Sequence, residues 1–206
     1  MSEGKIPVVP NVNTSVTFAK GQVPDILRRL EEFLGVPLSL RSSSGEVVCK
    51  TDYFGGPCSI LRGTEPGRLR CRRTYANIEE KLLRRKTPFV NICWAGFLIF
   101  AVPIELQGEM IGTILGAQIM PQRLSDRSAI DGAFGIAARS VGLHDLEPFF
   151  ASFKHVKTLE PDFQRISFLE FLKKLGDNFS ELAFSEKTWP LFYREIKSDL
   201  KRIEAV

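Results

Sequence analysis

Three cysteines surround one apolar segment of this chain, and they are its clearest candidates for chemistry. Cys58 and Cys71 precede the segment 88–120, and Cys93 lies within it. No two cysteines have the CxxC spacing of a redox or zinc motif, so only the fold could bring these thiols together. Cysteine thiolates bind zinc, copper(I) or iron–sulfur clusters, and zinc and cluster sites usually take four ligands. We therefore consider a metal or cluster site built on these three cysteines.

Two interpretations of the cysteines stay open at this point. A zinc or iron–sulfur cofactor needs a fourth ligand, for which Cys49 on the preceding hairpin is the candidate. Arginines close to Cys71 in sequence would lower thiol pKa values and favour thiolates. Buried cysteines also serve as small apolar residues of a core, without any metal.

Aromatic, amide and small residues of the same region suit a pocket for a small molecule. Such a pocket needs apolar walls and a few polar groups that orient its ligand. Asn91 and Gln118 are amides within apolar strands, and a ligand hydroxyl could satisfy either of them. Gly112 and Gly116 share one face of a strand and leave room for a helix or a ligand. The candidate ligand-binding residues are Cys58, Cys71, Tyr75, Asn91, Cys93, Trp94, Phe97, Gly116 and Gln118.

No pattern in the sequence indicates an enzyme. The chain has no paired-carboxylate motif, P-loop or GxGxxG. Its two histidines, His144 and His155, fall in the helical C-terminal part, where capping or surface positions are expected. A nucleophilic Cys93 would need an activating base, and the sequence gives no sign of one. We therefore expect a binding protein and no catalytic residues.

Composition and charge restrict the function further. The 206 residues are 44% hydrophobic and 25% charged, which is typical of one globular domain. No apolar run reaches the ~20 residues of a membrane span, and the N-terminus lacks the apolar core of a secretory signal. We therefore expect reduced thiols and a cytoplasmic protein.

The segment 62–86 is strongly basic, because it holds nine Lys or Arg and three Glu, a net charge of +6. No exposed aromatic residues alternate with these charges, so we do not expect direct nucleic-acid binding.

The elements that must position these residues follow from the apolar pattern. A helix over 21–35 precedes a hairpin over 36–51, and a loop follows that contains Cys58. Segment 88–120 predicts a central antiparallel hairpin of two long strands, with Cys93 on the first strand and a turn at 107–109. The remaining segments are helical. The order predicts an α+β fold, a PAS/GAF-like antiparallel sheet of four or five strands with covering helices and a helical C-terminal part.

A helix that carries Cys71 should cover this sheet. Thr64 can cap the helix, Pro66 lies in its first turn, and its pattern continues to Lys86. Its apolar stripe should face the sheet, and Cys71 shares that face. The residues of the shared face are Cys71, Tyr75, Ile78 and Leu82.

Around the three cysteines, the sequence resembles the PocR sensory domain, a family named after a regulator of propanediol and cobalamin genes. The resemblance covers about residues 22–180. One position departs from the family pattern, in which a His often follows the third cysteine, because this chain has Trp94. A ligand-binding or metal-binding role of that His would be absent or altered here. The matching segments are CSILRG, GRLRCRRTYANI, ICWAGF and VPIELQGEMIGTILGAQIM.

The resemblance implies a variant PAS-like fold that senses a small molecule, with hydrocarbon derivatives such as short diols as the proposed ligands. Family members are usually fused to a DNA-binding, histidine-kinase or cyclic-dinucleotide-synthase module. Because the sequence ends at Val206, the resemblance implies a stand-alone sensor, a piece of a larger regulator, or a protein that signals through a partner.

The chain should therefore divide into three regions. Residues 1–20 are expected to be a flexible lead-in, residues 21–182 the sensor domain, and residues 183–206 a C-terminal helix. An apolar stripe on the last helix would serve a homodimer or contact a separate output protein. The expected function is small-molecule sensing in signal transduction or transcriptional regulation. A cysteine-ligated metal or iron–sulfur redox sensor is the alternative.

Overall fold

Five antiparallel strands form the sheet of this domain, in the order β2-β1-β5-β4-β3. A computed structural model describes residues 22–51, 55–106, 108–121, 124, 126–159 and 162–182 of the chain. The expected α+β fold with a PAS/GAF-like sheet is confirmed, as is the number of strands. The strands are β1 (Leu38–Ser42), β2 (Val47–Lys50), β3 (Phe89–Ile92), β4 (Leu98–Leu106) and β5 (Glu109–Ile119).

Helices cover both faces and one end of this sheet. A π-helical turn joins α4 to α5, and a 3-10 turn over Ser152–His155 follows α6. No helix in the described ranges has the length and apolar character needed to cross a bilayer. The predicted lead-in over 1–20 and the predicted helix over 183–206 lie outside the described residues. The helices are α1 (Gln22–Leu34), α2 (Gly56–Gly63), α3 (Glu65–Arg85), α4 (Arg127–Ile130), α5 (Ile136–Arg139), α6 (Glu147–Ala151) and α7 (Asp162–Leu182).

The sheet separates two apolar cores. On one face, α1 and α7 pack against alternate residues of the central strands, among them Phe100 of β4. On the other face, Ile78 and Leu82 of α3 pack against Ile99 and Leu115. The apolar stripe predicted for α3 is thus confirmed, and it places Cys71 and the rest of that stripe on the second face.

A third core lies beyond the end of the sheet and holds α2 in place. Leu61 of α2 and Phe97 are both fully buried there. The ring of Phe97 stacks on Phe134 with 4.5 Å between centroids, and Phe153 lies 5.7 Å away. Burial of several aromatic rings makes this core a rigid support for the segments that approach it.

The apolar segment 88–120 contains three strands, where the sequence predicted two. Residues 93–96 form a tight turn between β3 and β4, in which the amide of Cys93 donates to the carbonyl of Phe97 at 2.8 Å. The amide of Gly96 donates to the carbonyl of Cys93 at 3.0 Å, and its φ of +94° favours glycine. The placement of Cys93 on a strand was therefore wrong, because the thiol belongs to this turn.

Cys58 lies in a two-turn helix, where the sequence predicted a loop. Gly55 is the N-cap of α2 and Pro57 occupies its first turn, a position that suits the fixed φ of proline. Leu61 then fastens the helix to the third core. The Gly-Gly-Pro cluster thus begins a helix and does not mark an extended loop.

The junction between α2 and α3 fixes the angle between the helices that carry Cys58 and Cys71. Thr64 caps α3 as predicted, because its hydroxyl accepts from the amide of Gly67 at 3.1 Å. The same hydroxyl lies 2.9 Å from the carbonyl oxygen of Leu61 and donates to it. A Cβ on Gly67 would overlap that carbonyl oxygen, so the two helices approach closely only because residue 67 is glycine.

We expect the substitution Gly67→Ala to lower the free energy of unfolding by about 2 kcal/mol, because the helices must separate to admit the methyl group. Gly63→Ala is the matched control, since a Cβ there meets no atom within 4 Å. The control should be neutral or slightly stabilising, because alanine favours helix. Urea denaturation of both variants measures the difference, and equal stabilities would contradict the close packing of this junction.

Candidate ligand-binding site

Three cysteines converge on one pocket at the end of the sheet, which we call the cysteine pocket. Cys58 comes from α2, Cys71 from α3 and Cys93 from the turn after β3, so the sequence prediction that the fold collects them is met. Seven of the nine candidate residues line this pocket, and whether they bind a ligand stays a prediction. The lining residues are Cys58, Arg62, Cys71, Thr74, Tyr75, Cys93, Trp94, Phe97, Ile99, Ala117 and Gln118.

The other two candidate residues lie elsewhere. The side-chain oxygen of Asn91 accepts from the ammonium group of Lys81 at 3.3 Å, and its nitrogen donates to the Ile92 carbonyl at 2.9 Å. Gly116 faces the core under α1 and α7, and a Cβ there would overlap the ring of Phe100. The interpretation of Gly116 as room for a ligand is therefore corrected, because a core phenylalanine fills that room.

Gln118 is the buried polar group of the cysteine pocket. Its exposed fraction is only 3%, and its φ of +65° is uncommon for a residue other than glycine. Its side-chain oxygen accepts from the amide of Cys58 at 3.3 Å, which links β5 to the start of α2. Gly56 permits this approach, because a Cβ there would lie 2.8 Å from the Gln118 side-chain nitrogen. Strained backbone in a buried polar residue is typical of functional sites.

Burial keeps the thiols of Cys58 and Cys93 protonated. It raises the pKa of Cys58 well above its ordinary value, the neighbouring Cys93 and Cys71 raise it further, and Arg62 lowers it by less. Burial also raises the pKa of Cys93, although backbone hydrogen bonds at residues 95–97 oppose this shift. The expectation that nearby arginines favour thiolates was therefore wrong for these two cysteines. Burial likewise raises the pKa of the Tyr75 phenol, which stays neutral.

The donor groups of the pocket do not match those of a zinc or iron–sulfur site. Among the residues that the structure describes, no group of three or more His, Cys, Asp or Glu is placed to hold a metal ion. Cys49, the candidate fourth ligand, lies on β2 and packs against the core under α1 and α7, across the sheet from the pocket.

Trp94 closes one side of the cysteine pocket. Its indole nitrogen donates to the sulfur of Cys71 at 3.4 Å. The guanidinium of Arg70 lies 5.2 Å from the centre of the indole and donates to the Ser140 hydroxyl at 2.6 Å. The tryptophan thus connects the pocket on α3 with the segment that follows α5.

The cysteine pocket is narrow. Its volume is about 20 Å³, which admits no more than a water molecule. Any larger ligand therefore requires α2 or the turn at 93–96 to move. Sequence reasoning found most of the lining residues from their types, but not Thr74, Ile99, Ala117 or Arg62, whose types carry no special signal.

We expect Cys58 and Cys93 to react with iodoacetamide much more slowly than an exposed thiol at pH 7.5. The thiolate is the reactive form, and a raised pKa lowers the thiolate fraction at every pH below it. The labelling rates of both cysteines should therefore rise steeply between pH 8 and pH 10. Peptide mass spectrometry of the native and the urea-unfolded protein measures them. Fast labelling of Cys58 at pH 7 in the native protein would contradict this environment.

The family described as the sensory domain found in PocR matches residues 18–184. No curated protein matches the chain. The family match runs from α1 to α7, and so it contains the whole sheet, both helices of the cysteine pocket and the turn with Cys93. This chain belongs to the PocR sensory domain family, and its role is that of a sensor.

Proposed function

We propose that this domain senses a small hydroxylated hydrocarbon, such as a short diol, that enters the cysteine pocket. Gln118 carries the proposal, because a buried amide on strained backbone supplies a fixed polar group in a mostly apolar pocket. Membership of a family of sensory domains supports ligand binding over catalysis.

The chemistry of the pocket favours a ligand that combines hydroxyl and hydrocarbon groups. Phe97, Ile99 and Ala117 supply apolar walls. The neutral phenol of Tyr75 and the amide of Gln118 can each exchange hydrogen bonds with a hydroxyl. The cysteine side chains add weakly polar, polarisable surface, which suits the methylene groups of a short diol.

Because the cysteine pocket has a volume of only about 20 Å³, we expect α2 to move when a ligand binds. A ligand between α2 and the sheet would lengthen or break the bond from the Cys58 amide to Gln118. Because α2 contacts α6 and the 3-10 turn after it, a shift of α2 would also move Phe149 and Phe153. The ligand would thus select an open arrangement that is a minor state without it.

The receiver of the signal is proposed to be a second copy of the chain or a separate output protein. The segment 183–206, outside the described residues, carries the apolar stripe that would make this contact. We propose a cytoplasmic location, which the signalling role and the four cysteines outside disulfides support.

Calorimetric titration with 1,2-propanediol and 1,2-butanediol tests the proposal. We expect saturable binding with a Kd on the order of millimolar, the range open to ligands of five or six heavy atoms. Cys71→Leu should weaken binding by about tenfold or more, because the larger side chain takes the space of the ligand. Cys49→Leu is the matched control, since it makes the same change across the sheet. Undetectable binding of both diols, or equal affinities of the two variants, would refute the proposal.

A further inference from the structure

A second and larger recess lies beside Tyr75, between β1, β2, α2 and α3. We call it the basic groove, and its volume is about 290 Å³, near the lower end of the range for ligand pockets. Four arginines and one glutamate line it, so the formal charge of its walls is four minus one, or +3. The lining residues are Arg41, Val47, Arg62, Arg68, Cys71, Arg72, Tyr75, Ala76 and Glu79.

Arg41 is fixed in this groove before any ligand arrives. Its guanidinium lies over the ring of Tyr75, 5.4 Å from the centroid, and its Nη2 donates to the carbonyl of Gly45. Its Nε lies 2.5 Å from the Glu79 carboxylate, and the two side chains are only 17% and 19% exposed. A guanidinium that is already ordered and largely desolvated binds an oxyanion with little further loss of entropy.

The wall opposite Arg41 is one stripe of α3. Arg68 and Arg72 are four residues apart and fall on the same side of the helix, and the stripe continues through Ala76 to Glu79. Like charges at this spacing repel each other and destabilise a helix. An anion between the arginines would remove this repulsion, so the stripe favours a bound negative charge.

We propose that the basic groove binds a small organic anion whose carboxylate or phosphate group lies among Arg41, Arg68 and Arg72. The groove has room for a ligand body of several heavy atoms beside the oxyanion group. Cys71, Tyr75 and Arg62 border both the groove and the cysteine pocket, but the two recesses differ in charge and size. The proposal therefore does not depend on diol binding in the cysteine pocket.

Titrations of the whole chain with inorganic phosphate and with succinate test this site, at one low and constant ionic strength. Arg72→Gln should weaken binding roughly fivefold, the effect of one solvent-exposed charged hydrogen bond. Arg73→Gln is the matched control, because Arg73 is exposed like Arg72 and carries the same charge but does not line the groove. The control should keep the affinity of the unchanged protein within about twofold.

The relative affinities for phosphate and succinate indicate which kind of anion the groove binds, and two other results would show that the groove is not a binding site. Tighter phosphate binding would identify a phosphate-bearing ligand, and tighter succinate binding a carboxylate-bearing one. No saturable binding of either probe would overturn the proposal. Equal weakening by Arg72→Gln and Arg73→Gln would also overturn it, since it would show a diffuse attraction to α3 and no site. Diol titration of Arg72→Gln keeps the two proposals distinguishable, because binding in the cysteine pocket should persist.

Discussion

Replacing Phe97 with alanine is expected to lower the free energy of unfolding by about 4 kcal/mol, the usual cost of removing a fully buried phenylalanine. Its ring stacks on Phe134 and contacts Phe153, so the substitution opens a cavity in the middle of the third core. Phe97 also follows the turn with Cys93 and forms a wall of the cysteine pocket. Urea denaturation followed by circular dichroism measures the loss.

Two further variants make the Phe97 result specific. Phe97→Leu keeps most of the apolar volume and should recover more than half of the lost stability. Ile136→Ala removes an apolar side chain that is 73% exposed, and it should change the stability by no more than about 0.5 kcal/mol. A loss below about 1 kcal/mol in Phe97→Ala would contradict the packing of this core.

Replacing Gly116 with alanine is expected to cost about 3 kcal/mol, at the upper end for one extra methyl group in a packed core. The added Cβ would overlap the ring of Phe100, which is fully buried between the sheet and α7. Neither the ring nor the strand can retreat without breaking other contacts. Thermal or urea unfolding of the purified variant measures the cost.

A double-mutant cycle separates this steric conflict from other effects at Gly116. Phe100→Ala alone should cost about 4 kcal/mol through its cavity, but the double variant should be more stable than the sum predicts, by about 2 kcal/mol. Additive costs would contradict the direct contact. If Gly116 made room for a ligand, Gly116→Ala would instead change ligand binding and leave the free energy of unfolding unaltered.

The parts of the fold that local chemistry decides could be predicted from the sequence. The four-residue and three-residue steps from Cys71 to Leu82 placed the stripe of α3 against the sheet. Thr64 before Pro66 marked the start of that helix. The convergence of the three cysteines could be predicted because each cysteine was assigned to a different one of three neighbouring elements. Two of these elements were of another type than predicted, since Cys58 lies in a helix and Cys93 in a turn.

The turn at 93–96 could not be recognised because its surroundings are apolar on both faces of the sheet. In such strands the alternation of apolar and polar residues disappears, and a short turn looks like a continuous run. Gly96 was the one signal of a break, and its positive φ shows why a glycine stands there. The raised pKa of Cys58 could not be predicted either, because it results mainly from burial, and nearby arginines in the sequence do not indicate how far a thiol is buried.

The features that depend on contacts between distant segments were also outside the reach of sequence patterns. Gln118 was identified as a polar residue in a strand, but its left-handed backbone arises from the bridge to α2 and from its tertiary surroundings. The basic groove depends on Arg41 of β1 pairing with Glu79 of α3 on the same face of the sheet. No local pattern links residues so far apart in the chain.

Backbone amide chemical shifts during a titration with 1,2-propanediol test most directly whether the cysteine pocket is the sensing site. We expect saturable shifts at Cys58, Cys93 and Gln118, with smaller shifts that extend to Phe149 through α2 and α6. The amide of Cys49, across the sheet, should not respond. No saturable shift, or shifts confined to the face under α1 and α7, would contradict the proposal that this narrow pocket widens to bind the signal.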